Sequence, residues 1–200
     1  MITFPAYAAN FELYPKDGEA SRHLLPLVNG LGKIDFEFRV NDPKINQGQL
    51  DSDLDLKLEA GFQSCGTTPC NLPLPFGVPQ ELDFSFNFGG RIVAVEIEKT
   101  NREKILRDIL KCHIYLHSGA QYALVVLPRN YAHKHCVWNL FKFGIERFDE
   151  CLKYAFGTPD KLGKIALLGF DQVEAGTNRL LTKAIREEMR VKAAKQLQAS

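Results

Sequence analysis

Four acidic residues fall close together in the chain, Glu81, Asp83, Glu96 and Glu98. They flank the dipeptide Gly89-Gly90. On one side Glu81-Leu-Asp-Phe-Ser-Phe-Asn-Phe88 alternates polar and apolar residues, and on the other runs Arg91-Ile-Val-Ala-Val-Glu-Ile-Glu-Lys99. Two alternating runs joined by two glycines predict a β-hairpin with a two-residue loop. With Gly89 and Gly90 as the loop, Phe88 pairs with Arg91. Phe86 then faces Val93, Phe84 faces Val95 and Leu82 faces Ile97 on an apolar face. On the opposite face Ser85 meets Ala94, Asp83 meets Glu96 and Glu81 meets Glu98. Directly opposed Cβ atoms lie about 4.5–5.5 Å apart, so one sheet face collects four carboxylates.

Like charges set opposite each other destabilise a hairpin. A shared proton, a basic partner or a divalent cation would offset the repulsion. Oxygen-rich donors suit hard ions such as Mg2+, which binds through a few carboxylates and commonly also through phosphate oxygens. Such an ion lowers the pKa of water and supports in-line attack on phosphorus. The segment that follows supplies positive charge. Lys104, Arg107 and Lys111 recur at i, i+3 and i+7, a basic helical stripe suited to phosphate contact, beside a core stripe of Ile105, Ile109, Cys112 and Leu116. A solvent-facing polar strand and an ordinary solvated helix face are the competing explanations of these two patterns.

The surrounding elements must hold these residues in place. Thr100-x-x-Glu103 reads as a capping box opening a helix over Asn101 to His117. Gln121 to Leu127 is a continuous apolar run, as in a buried strand. Pro128 to Lys134 reads as a loop and His135 to Phe156 as a helix with Val137, Phe141, Ile145 and Phe148 on one stripe. Ile165 to Phe170 is another buried strand, and Thr177 to Gln198 a basic amphipathic helix carrying Lys183, Arg186, Arg190, Lys192 and Lys195. Upstream the signals are weaker. Ala20 to Leu27 suits a short helix, Lys33 to Val40 a strand and Asp51 to Phe62 a helix, while Cys65 to Pro79 is a loop rich in proline. The order predicts an α/β fold, a central mixed β-sheet flanked by helices.

At 200 residues the chain has the length of one domain. Its composition, 45% hydrophobic and 24% charged, excludes collagen-like and wholly disordered classes. The net charge of +1 hides an asymmetry. Residues 1–98 hold 7 Lys+Arg against 14 Asp+Glu, and residues 99–200 hold 18 against 10. The basic half could face a polyanion or be plain solvated surface. No run of about 18 apolar residues predicts a membrane span. The N-terminal stretch lacks the pattern of a secretory signal, and five irregularly spaced cysteines argue against a disulfide framework. A cytoplasmic protein is expected. His133-x-His135-Cys136 and Cys65-x4-Cys70 match no common zinc module.

Asp83, twelve residues, then Glu96-Ile-Glu98, followed by a helix and an apolar strand ending in Pro128, resembles the core of the PD-(D/E)XK nucleases. The usual lysine of that motif is replaced by Glu98. This Glu-x-Glu variant is similar to that of type II restriction endonucleases of the BamHI/BglII group. The resemblance covers about residues 81–171, the catalytic core of a single nuclease domain, with residues 1–80 and a C-terminal helix over 172–200 appended. It implies a restriction-endonuclease-like fold and a Mg2+-dependent cleavage of double-stranded DNA, with Mn2+ able to substitute. It further implies a homodimer cutting a short palindrome centred on GATC. Asp83 and Glu96 would be metal ligands, and Glu98 would position or activate water. Glu81 and Glu59 would be supporting acids, the latter standing for an acidic residue that the group carries on a preceding helix. Lys104, Arg107 and Lys111 would contact DNA phosphates. Lys99 falls on the opposite strand face and is not the missing lysine. A repair or junction-resolving nuclease of the same fold, and a DNA-binding subunit without catalysis, are the rival readings.

Overall fold

A computed structural model describes residues 6–33, 36–38, 54–74, 82–99, 101–133, 136–154 and 159–174, together with residues 179, 180, 182–185, 187, 188, 191, 195 and 198. In chain order the elements are β1 (Ala6–Tyr14), α1 (Glu19–Leu31), β2 (Phe36–Phe38), α2 (Leu54–Ser64), β3 (Thr68–Pro69), β4 (Phe84–Phe88) and β5 (Arg91–Ile97). There follow α3 (Lys104–His117), β6 (Tyr122–Pro128), β7 (Tyr131–His133), β8 (Cys136–Trp138), α4 (Leu140–Lys153), α5 (Pro159–Leu162) and β9 (Ile165–Glu174). Seven strands form one mixed sheet in the order β2-β1-β9-β6-β5-β4-β3, and β7 and β8 form a separate ribbon. The three central strands β5, β6 and β9 run parallel, and the flanking strands β4 and β1 pair antiparallel to them. The fold is therefore α/β with a mixed sheet between helices.

The hairpin register follows from its sequence. Phe84 pairs with Val95, Ser85 with Ala94, Phe86 with Val93 and Phe88 with Arg91. Gly89 and Gly90 take φ values of 57° and 75°, the left-handed pair a tight type I′ hairpin turn demands. Alternation then sorts the strand residues between two covered faces. Phe84 and Phe86 pack on Phe62 of α2, and His23 of α1 stacks on Tyr122. On the other face Ala94 packs with Tyr115 of α3, and Leu127 and Leu167 meet α4 at Gly144. The carboxylate face of the hairpin is thus beneath a helix. Ser85, Ala94, Glu96 and Glu98 are all buried, and a solvent-facing strand is excluded.

Several elements depart from the expected pattern. Thr100 lies outside the described residues, and no side-chain cap closes the start of α3, which begins at Lys104. Asn101 Oδ1 instead accepts from the Glu103 N–H at 2.9 Å, a local turn that delays the helix. The segment 136–138 is a strand and not the start of a helix. Asn139 is the true N-cap of α4, its side chain accepting from Lys142 N–H. β1, which the sequence pattern does not announce, pairs with β9 along most of its length. Of the C-terminal helix predicted over Thr177 to Gln198, residues 183–185, 187, 188, 191, 195 and 198 are helical. Arg186, Arg190 and Lys192 lie outside the described residues.

One contact sets how closely α4 packs. A Cβ built on Gly169 of β9 would lie 2.6–2.8 Å from three ring carbons of Phe141. That ring is buried. Gly169→Ala is expected to destabilise the fold by about 1–3 kcal/mol through overpacking, read as a lower urea midpoint with an unchanged slope.

Candidate active site

β5 carries Glu96 under α3. The residue is 4% exposed, and two donors from α3 hold its two oxygens. Lys111 Nζ donates to Oε2 at 2.6 Å, and the Tyr115 hydroxyl donates to Oε1. Residues four apart lie on one helix face, so both donors come down on the same carboxylate. The ring of Tyr115 is buried with Leu72, Ala94 and Ala120. Burial pushes the Glu96 carboxyl above its ordinary value. The Lys111 and Tyr115 bonds oppose the shift, and the charge of Asp83 adds to it. The Tyr115 hydroxyl is driven far above the ordinary tyrosine range by burial and by Glu96, so it stays a donor at every physiological pH.

Asp83 stands at the exposed rim of this pocket of charge. The β4–β5 ladder ends at Phe84 and Val95. Beyond it, Asp83 Oδ2 accepts from the Ile97 N–H at 2.6 Å, a side-chain bond in place of a further rung. Desolvation raises the Asp83 carboxyl first. The Ile97 N–H opposes this, the charge of Asp55 raises it further, and Lys111 and Lys99 pull it back. Asp83 and Glu96 therefore share one electrostatic environment. Glu81 lies outside the described residues.

Glu98 sits just past the end of β5 and is buried. Its Oε1 accepts from the Asn101 N–H at 2.8 Å, and its backbone N–H reaches Val126 O. Its charge acts on Asp108 of α3, which is 3% exposed and has a carboxyl raised by burial and then by Glu98. Glu98 thus faces Asp108 while Glu96, two residues earlier, faces Lys111 and Tyr115.

The basic stripe of α3 is corrected at one position. Lys111 is 7% exposed and paired with Glu96, so it is no part of an outer DNA-contacting face. The same helix face is open at Lys104 and covered at Asp108, Lys111 and Tyr115, where the sheet lies beneath it. Lys104 and Arg107 remain exposed, with Arg107 turned toward Asp108 at 3.2 Å. Lys99 turns toward α2, where its Nζ lies 2.8 and 2.9 Å from the two oxygens of Asp55. The acid of α2 whose charge reaches Asp83 is Asp55, one turn before the half-buried Glu59. Asp55, Asp108 and Tyr115 escape sequence reasoning. The available signal was polar residues at 108 and 111 bordering the apolar stripe of α3, which marks a face turned toward something charged.

Among the described residues no three His, Cys, Asp or Glu side chains stand together as a metal cage. Cys65 and Cys70 are free thiols, and His135 lies outside the described residues. The two sequence-predicted ligands are Asp83 and Glu96, and the charge of Asp83 acts on Glu96. Mg2+ is commonly held by one or two carboxylates, with waters and substrate oxygens filling its other positions. One exposed carboxylate, Asp83, and one buried one, Glu96, would fit that mode of binding, and do not fit a closed protein site. Among the described residues no helix is long and apolar enough to cross a membrane. Neither a scan against protein-family models nor a search of the curated proteins finds a match for the chain.

Proposed function

We propose that the chain is a Mg2+-dependent endonuclease that hydrolyses phosphodiester bonds of double-stranded DNA. The observation that carries this reading is a buried carboxylate, Glu96, gripped by a buried lysine and set beside Asp83 at the carboxyl end of a central parallel strand. In α/β sheets that end is where ligands bind. Asp83 and Glu96 would hold the cation, with Mn2+ able to substitute. When bound, it would neutralise phosphate charge and lower the pKa of the attacking water. Lys111 brings a positive charge to within 2.6 Å of Glu96, in place to stabilise the negative charge that grows on phosphate during attack. Glu98 would position or activate the attacking water, as its motif position implies, and has a second task as well. Its Oε1 accepts from the Asn101 N–H in the turn before α3. Exposed Lys104 and Arg107 suit contact with flanking phosphates.

The order of acidic strand, Glu-x-Glu strand, helix and apolar strand supports a restriction enzyme of the BamHI/BglII type, working as a homodimer on a palindrome centred on GATC. The test is incubation of the protein with a sequenced plasmid at low salt, with Mg2+ or with EDTA. Discrete fragments that need Mg2+ are expected, and mapping their ends gives the site. Cleavage only of branched or damaged DNA would move the protein to the repair class. A plasmid left intact under both Mg2+ and Mn2+ would end the nuclease reading. One observation favours a second reading, a DNA-binding subunit without catalysis: both oxygens of Glu96 already have donors from the chain itself. A gel shift with no cleavage is its signature.

A further inference from the structure

We infer that Tyr115 is a positioning residue for divalent-cation binding, its hydroxyl fixing the Glu96 carboxylate in the orientation that a cation shared with Asp83 requires. The inference rests on the cation site of the proposed function and deepens it. Tyr115 is 1% exposed, and its ring fills space between Leu72, Ala94 and Ala120. Phenylalanine would fill the same space, so packing does not account for the hydroxyl. The hydroxyl is spent on Glu96 Oε1, while Lys111 takes Oε2. The two anchors differ in kind. Lys111 is a counter-charge, and an arriving cation can take over that task. Tyr115 is neutral, so its bond is retained when the counter-charge changes. A ligating carboxylate held by a fixed donor keeps its aim, and loss of such a partner typically weakens metal affinity about 10–100-fold.

The experiment is direct Mn2+ binding by calorimetric titration, without DNA, on wild type, Tyr115→Phe and Tyr122→Phe. The last variant removes a tyrosine hydroxyl bonded to Glu19, remote from Glu96, and serves as the control. Tyr115→Phe is expected to bind Mn2+ about 10–100-fold more weakly with an unchanged circular dichroism spectrum, while Tyr122→Phe binds like wild type. Equal affinity in Tyr115→Phe and wild type overturns the inference, and it does so without touching the nuclease reading if wild type still cleaves with Mg2+. A wild type that binds no Mn2+ and cleaves nothing overturns both. Should Tyr115→Phe not fold, the wild-type ultraviolet difference spectrum on adding Mg2+ decides. A tyrosine perturbation that Glu96→Gln abolishes supports the inference, and a flat spectrum in wild type rejects it.

Discussion

Lys111→Met is expected to destabilise the protein by about 3–5 kcal/mol at neutral pH, the usual cost of removing one partner of a buried ion pair. Methionine keeps the length and apolar stem of lysine, so little packing is lost. What remains is Glu96, 4% exposed, with Tyr115 as its bonded donor and the Lys111 charge gone. The second part of the expectation is sharper. Adding Glu96→Gln to Lys111→Met should restore most of the lost stability, because the double variant buries no charge at this point. The cycle of wild type, two single variants and the double variant isolates the pair term. Urea denaturation supplies the four values. A loss below about 1 kcal/mol for Lys111→Met, in the range of an exposed ion pair, would mean that Lys111 is at the surface and that the reading of the site is wrong. Cleavage by the same single variant should fall about 10²–10³-fold, as when one preorganised stabiliser of transition-state charge is removed.

That pair was half legible in the sequence. The hairpin was the clearest element, because strict alternation and Gly89-Gly90 leave one register open, and Phe84 does pair with Val95. Alternation also placed Glu96 on the face away from the phenylalanines. The helix was harder. Its basic residues Lys104, Arg107 and Lys111 recur at helical spacing whether or not the sheet covers them, and spacing does not say how far the helix projects past β5. Lys111 was consequently read as outer surface and is in fact inside. Tyr115 was not singled out, and its hydroxyl acquires meaning only once Glu96 is known to bond it. Asp55 and Glu59 are four apart on one face of α2, so chain position does not choose between them. β1 was missed because Ala6–Tyr14 mixes small, aromatic and polar residues without a period, its pairing being decided by β9. The ribbon of β7 and β8 was missed because Val137 extends the stripe of α4 backward by chance. Asn139, a residue type favoured at helix N-caps, was the signal for the real boundary.

Glu96→Gln is expected to reduce Mg2+-dependent cleavage at least about 10²–10³-fold and also to cost stability, because it leaves the buried Lys111 without its counter-charge. The substitution keeps the shape, removes the charge and leaves one oxygen to accept where two accepted before. The pH dependence of stability separates the Glu96 charge from the loss of the pair. Burial raises the Glu96 carboxyl above its ordinary value of 4.5 in the folded state. The stability linked to such a group is fully present below the unfolded value and is lost as pH rises through the folded one. Asp83 and Asp108 are raised in the same direction, and His113, lowered by burial, opposes them below its ordinary 6.5. In EDTA, wild type should therefore lose stability as pH climbs from the ordinary carboxylate range through the raised values. Glu96→Gln, with the Glu96 share removed and the other groups intact, should show a shallower fall. Urea midpoints at pH 5 and pH 8 for the two proteins measure the difference. Added Mg2+ should stabilise wild type at pH 8 and do much less for the variant, since a ligand stabilises the state that binds it. Identical pH slopes would mean that Glu96 is not buried with its charge, and cleavage unaffected by the substitution would remove it from the site. A carboxylate whose charge weakens the fold as pH rises, and which a cation relieves, is what the proposed cation site requires.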